Sequence, residues 1–148
     1  MDGLELSKIL LQQTDVLQKM HGVVVQQREA LKEGRLELLQ QLMKDQQNYA
    51  FQAETLERER QRISGRISSF YHCPSTIADF CQNMQPDVAR ELRQAADGLL
   101  RIVGKLQAEM AILARLVEES QTLSEITIAE WRRLEGLTSS KNGLDVCG

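Results

Sequence analysis

His72, Cys73 and Cys81 are the residues of this 148-residue chain with the chemistry to hold a metal ion. A structural zinc takes four ligands, usually offered as two close pairs, and a catalytic zinc takes three and an open position. Here the one close pair is adjacent in the chain and no second pair follows, so the spacing predicts thiols buried in a short connector and no metal site. His21 stands by itself, with no serine, cysteine or acid beside it at catalytic spacing, and the chain has only 2 histidines. Nucleophile–base chemistry needs a constellation of such groups, and no glycine-rich loop is present to cradle phosphate. The chain reads as a binder and not an enzyme, with no catalytic residue and no cofactor.

Two clusters remain. Arg58, Arg62 and Arg66 fall four apart and line one helical face, as a phosphate-binding ridge would. Glu57 and Glu59 interleave with them and no aromatic platform accompanies them. They are expected to form a solvated face, or one that pairs with acids on the last helix. The second cluster is Trp131 with Ile126, Ile128 and Leu134, past the end of the clean apolar pattern. It suits either a partner-binding surface, where tryptophan often anchors the contact, or simply core.

Long helices must position these residues. Leu10, Leu17, Val24 and Leu31 stand seven apart, with Ile9, Val16, Val23 and Ala30 beside them. A second stretch carries Leu39, Leu42, Met43, Tyr49, Ala53, Leu56, Ile63, Ile67 and Phe70, interrupted by Gln46 and Arg60. A third carries Leu92, Leu99, Leu106 and Leu113, with Ile102, Leu116 and Leu123. Heptad spacing keeps apolar groups on one side of a helix, and such helices hide them against one another. The first helix is predicted from Gly3 to Glu33, with the paired rows carrying the burial and Gln13 and Gln27 outside them. Gly34 is its stop, and so short a turn makes the second helix, from Arg35, antiparallel to the first.

The stretch from His72 to Gln85 breaks the pattern. Pro74 bars a continuous helix, Ser75 is the expected cap of a short turn, and Ile77 and Phe80 are expected to plug one end of the hairpin. Pro86 suits the first turn of the last helix, predicted from Asp87 to Glu135. Ser120 and Thr127 take heptad positions late in that helix, which is longer than its neighbours and leaves apolar groups without an internal home. Residues 137–148 are read as a flexible tail. The expected architecture is all-α: an elongated antiparallel bundle or coiled coil of three long helices with a short helical insert between the second and third, one domain over residues 1–136.

Composition narrows the partners. With 18 basic and 21 acidic residues the formal charge is −3, against the basic excess of a nucleic-acid protein. The 3 cysteines are odd in number and off any framework spacing, which suits a reducing compartment. The acidic N-terminus lacks a secretory pattern, and no apolar run approaches the ~18 residues of a membrane span. A cytoplasmic protein with no membrane insertion is expected.

Arg28-Glu29-Ala30-Leu31-Lys32-Glu33-Gly34 followed by Leu38-Leu39-Gln40-Gln41-Leu42 resembles the FlgN family of flagellar export chaperones, which has Glu-x-Ala-Leu, a glycine turn and Leu-x-x-Leu in that order, although here Glu29 stands directly before Ala30. Leu56-Glu57-Arg58-Glu59-Arg60 resembles the family's Leu-Glu-x-x-Arg run, and Ser75-Thr76-Ile77-Ala78-Asp79-Phe80 with Pro86 its capped turn. The chain differs in the middle of the last helix, with Met110 and Leu113 where family members often carry asparagines. The resemblance implies an ATP-independent chaperone for the amphipathic C-terminal segments of the hook–filament junction proteins FlgK and FlgL, in contact also with export-apparatus components. It implies a cargo site between Val117 and Leu137. With the physical reading, the candidate site residues are Leu116, Val117, Leu123, Ile126, Ile128, Trp131 and Leu134. The same stripe is open to a homodimer, and the competing reading is a self-associating coiled-coil scaffold.

Overall fold

A computed structural model of the protein describes residues 2–141, with side chains as far as Gly136. Four helices follow one another: α1 (Asp2–Lys32), α2 (Leu36–Tyr71), the short α3 (Ile77–Gln82) and α4 (Pro86–Lys141). No strand occurs among the described residues, and the protein is an all-α helical bundle. The chain divides into two compact units, Met1–Ile112 and Leu113–Gly148. This division falls inside the stretch 1–136 read from sequence as one domain. α4 therefore serves the first unit with residues 86–112 and forms the described part of the second.

Each helix of the first unit stops for a local reason. At the end of α1, Gly34 takes φ +69°, which a side chain would resist. Its N–H bonds the Leu31 carbonyl at 3.2 Å while the Arg35 N–H bonds that of Ala30 at 2.9 Å, the paired closure of a Schellman motif. α2 ends at His72, which takes the left-handed conformation at φ 52° and donates its N–H to the Ser68 carbonyl. α3 is capped by Thr76 and not by Ser75: the Thr76 hydroxyl accepts the Asp79 N–H at 3.1 Å and in turn donates to the Asp79 carboxylate. Only the hydroxyl three residues before an acid can make that reciprocal pair. Pro86 opens α4, and α4 runs beyond Glu135 to Lys141. Of the expected tail, residues 142–148 lie outside the described residues, as does Cys147.

The main core lies where four helices meet. Leu6 and Leu10 of α1, Ile63 and Ile67 of α2, Phe80 and Cys81 of α3, and Ala89, Leu92 and Ala95 of α4 form one buried cluster. Phe80 is its largest fully buried member, with Ile77 packed against it, so the insert is part of the core. α1 approaches closely here: a Cβ on Gly3 would lie 2.7 Å from Val88 Cγ1. A smaller cluster of Val23, Ala30 and Leu42 holds the turn end of the α1–α2 hairpin, flanked by Leu38, Leu39 and Tyr49.

Between these clusters the packing departs from the expected rows. Gln13 and Gln27, expected outside the buried stripe, are buried at 6% and 2% exposure. They lie on the seam itself, in step with Leu6, Leu10, Met20 and Val24. The seam tolerates them because its polar breaks face those of α2. Gln27 Nε2 donates to Gln46 Oε1 at 2.8 Å and to the Leu42 carbonyl at 3.2 Å. Gln13 Nε2 donates to Glu57 Oε2 at 2.8 Å, and Arg60 clamps the same carboxylate with Nε at 2.7 Å and Nη2 at 2.6 Å. A buried amide left unpaired costs about 1–3 kcal/mol, so any slipped register of α1 against α2 is penalised. On α4, Glu109 stands 3.6 Å from Arg28 of α1, an ion pair without a hydrogen bond. Met43 and Phe70, expected in the buried stripe, are 51% and 75% exposed. Phe70 sits at the helix end, edge-on to Tyr71 with centroids 4.9 Å apart.

Phe80→Ala should cost about 3–5 kcal/mol in urea unfolding, whereas Met43→Ala should stay within about 0.5 kcal/mol. The Arg60 hydrogen bonds hold the Glu57 carboxyl down from 4.5 to about 2, against the opposing cost of burial and with help from Gln13. A depressed folded-state value means that this contribution is complete above pH 4.5 and fades as the pH falls towards 2. Urea titrations between pH 5 and 2 should therefore show a shallower acid loss for Glu57→Gln than for the parent chain.

Candidate partner-binding surface

α4 carries two rows seven residues apart. One runs Val88, Ala95, Ile102, Glu109, Leu116, Leu123 and Glu130. The other runs Leu92, Leu99, Leu106, Leu113, Ser120, Thr127 and Leu134. Within the first unit these rows face the core, with Leu92, Ala95, Ile102 and Leu106 buried. In the second unit Leu113 and Leu116 are half-buried, and all of residues 117–136 are exposed. Leu123 and Trp131 are each 64% exposed, Ile126 59%, Ile128 50%, Leu134 46% and Val117 40%.

Helical geometry groups some of these side chains and separates others. At about 100° per residue, Leu116, Leu123 and Leu134 fall within about 20° of one line and Trp131 about 60° to one side. Val117 is about 100° round, and Ile126 and Ile128 lie on opposite flanks, about 160° apart. One docked helix covers a stripe of roughly 100°, enough for the three leucines and Trp131 but not for both isoleucines. Seven candidates thus resolve into one face of four and three flanking residues.

Two polar side chains of this face bond within the helix. Trp131 Nε1 donates to Glu135 Oε1 at 2.9 Å, and the Thr127 hydroxyl donates to the Leu123 carbonyl at 2.8 Å. Glu130, the acid within the row, is paired with Arg133, whose hydrogen bond holds its carboxyl below the ordinary range. Neutralising that acid leaves an apolar face with muted charge, suited to a partner that brings apolar anchors.

The other candidates resolve differently. Arg58 pairs with Glu54 at 2.6 Å, Arg62 with Glu59 at 2.5 Å, and Arg66 with Asp2 at 3.0 Å and Glu5 at 2.7 Å. Their acids come from α2 and α1, not from the last helix, and the ridge offers no free cation to phosphate. His72 closes the end of α2 with its backbone while the residue itself is exposed, and Cys81 is buried with Sγ 3.6 Å from the Ala89 carbonyl. No group of three His, Cys, Asp or Glu side chains placed to hold a metal occurs among the described residues. Nor is any described helix long and apolar enough to cross a membrane. The heptad rows gave no sign of one feature: Leu11 and Phe51, 59% and 67% exposed, line a shallow groove of about 700 Å³ with Val16 and Leu56 between α1 and α2.

Compared with known families, residues 1–139 match the family described as FlgN protein, nearly the full length of the chain. The chain belongs to the FlgN family. No curated protein and no solved structure gives a significant match. FlgN membership gives the protein a flagellar export chaperone role in a family of chaperones, not of enzymes. This FlgN chain folds as a long α1–α2 hairpin, a capped insert and a last helix whose later rows are exposed.

Trp131 is the only tryptophan, so it reports on this face directly. Its emission should be that of solvated indole and fully open to iodide quenching; a shielded, blue-shifted emission would contradict the exposure described above.

Proposed function

We propose that this FlgN-family chaperone binds the amphipathic C-terminal segments of the hook–filament junction proteins FlgK and FlgL on the second half of α4. The observation that carries this reading is the run of twenty exposed residues, 117–136, that keeps the two heptad rows used for burial in the first unit. A cargo helix laid along Leu116, Leu123, Trp131 and Leu134 would cover them with its own apolar residues, as amphipathic helices fill grooves elsewhere. The cargo segment would then be kept from associating with its own kind. Val117, Ile126 and Ile128 would meet the margins of such a helix.

Ordering a flexible cargo segment costs conformational entropy, so affinity would be moderate for the length of contact. Release needs no bond to break, only competition for the same apolar face. Support also comes from Ser120, Thr127 and Glu130, which lower the apolar content of the rows enough for the face to remain exposed in water.

Calorimetric titration with a peptide from the C-terminus of FlgK or FlgL should give saturable binding to the full chain and none to a chain ending at Glu118. Trp131→Ala should weaken that binding by more than ~1 kcal/mol with little change in melting temperature. An unfolded Trp131→Ala variant, or equal binding by the shortened chain, would remove the site from α4. A full chain that ignores both peptides and forms a defined oligomer would favour the self-associating scaffold.

A further inference from the structure

The outer face of α4 in the first unit carries cations that no other described residue pairs with. Arg93, Asp97, Arg101 and Lys105 stand four apart, three cations to one acid, all exposed. Most arginines of this chain lie against a carboxylate, among them Arg28, Arg58, Arg62 and Arg66. Among the described residues Arg93, Arg101 and Lys105 form no ion pair, even though Asp97 stands one turn from both arginines. In a chain of net charge −3, such a cluster of unanswered cations is a local departure.

Among these cations lies Leu100, 69% exposed, more than any candidate on the second half of the helix. One turn further on is Gly104, exposed, with nothing within 4 Å of where its Cβ would be. Glycine inside a helix is destabilising relative to alanine, and no close neighbour in the fold requires it here. It leaves bare backbone beside Leu100, where a second helix could approach closely. Arg93, Asp97, Leu100, Arg101 and Gly104 fall within about 100° of helix surface, with Lys105 at the margin.

We propose that this face docks an acidic amphipathic helix of another protein, with an aliphatic side chain of the partner seated on Leu100 and Gly104 and its carboxylates on Arg93, Arg101 and Lys105. Charge complementarity selects the partner's sign and speeds encounter, while the apolar contact fixes its register. A nucleic-acid duplex is disfavoured because the cluster is short and interrupted by Asp97, and a bilayer because a single leucine offers no broad apolar face to insert. The site uses none of the residues 116–134.

The test is fluorescence anisotropy of the full chain with a labelled helical peptide of about five turns, leucines on one face and glutamates flanking them. The same peptide with lysine for every glutamate, and phosphatidylserine vesicles, serve as the alternatives. The acidic peptide should bind saturably, more weakly as salt rises, and the lysine peptide and vesicles should not. Arg101→Glu and Leu100→Ser should each weaken binding on the order of tenfold, with unchanged melting curves, while Trp131→Ala should leave it unchanged. Equal binding of the lysine peptide, preference for vesicles, indifference to Arg101→Glu, loss on Trp131→Ala, or no saturation would overturn the proposal.

Discussion

A helix with apolar rows seven residues apart is stable in water only where neighbouring helices cover those rows, and α4 meets this condition along part of its length. Leu92 and Ala95 of its rows join α1, α2 and the Phe80 insert in a common core, and Ile102 and Leu106 are buried further along. Leu92 and Phe80 are almost wholly removed from solvent there, at 0% and 1% exposure. Residues 117–136 keep the spacing but not the cover. Ser120, Thr127 and Glu130 thin the apolar content where cover is lacking, and the Arg133 pair quiets the charge on Glu130. The stability of the protein and the function proposed for it thus draw on the same sequence pattern, in different parts of one helix.

The α1–α2 hairpin shows how the register is held while α4 packs on it. Apolar rows alone permit slippage by a heptad, since one leucine resembles the next. The Gln27–Gln46 bond and the Gln13–Glu57–Arg60 network remove that freedom, because each amide has its partner in one register only. The polar breaks in both helices are thus matched features.

Much of this was legible in the sequence because it depends on local chemistry. Gly34 ends α1, Pro86 opens α4 and Phe80 plugs the core, as glycine, proline and a lone aromatic in a capped turn predict. What escaped depends on tertiary partners. Gln13 and Gln27 look like gaps in an apolar row until the facing gaps at Gln46 and Glu57 are known. Met43 and Phe70 fit the heptad of α2 but lie where no helix covers them. His72 suggests a ligand by its type, whereas its backbone conformation ends a helix. Thr76 was the readable miss: an acid three residues on marks it, and not Ser75, as the cap. The candidate surface was legible as a set of residues beyond the clean stripe, but its division into one face and two flanks required helical geometry to be followed residue by residue.

Hydrogen–deuterium exchange of the full chain, with and without a FlgK or FlgL C-terminal peptide, tests the central claim most directly. The claim predicts slow exchange in the first-unit core around Leu92 and Phe80 in both states, and fast exchange in residues 117–136 that slows only when peptide is present. Residues 117–136 already protected in the free chain, or peptide-dependent protection confined to residues before Ile112, would contradict it.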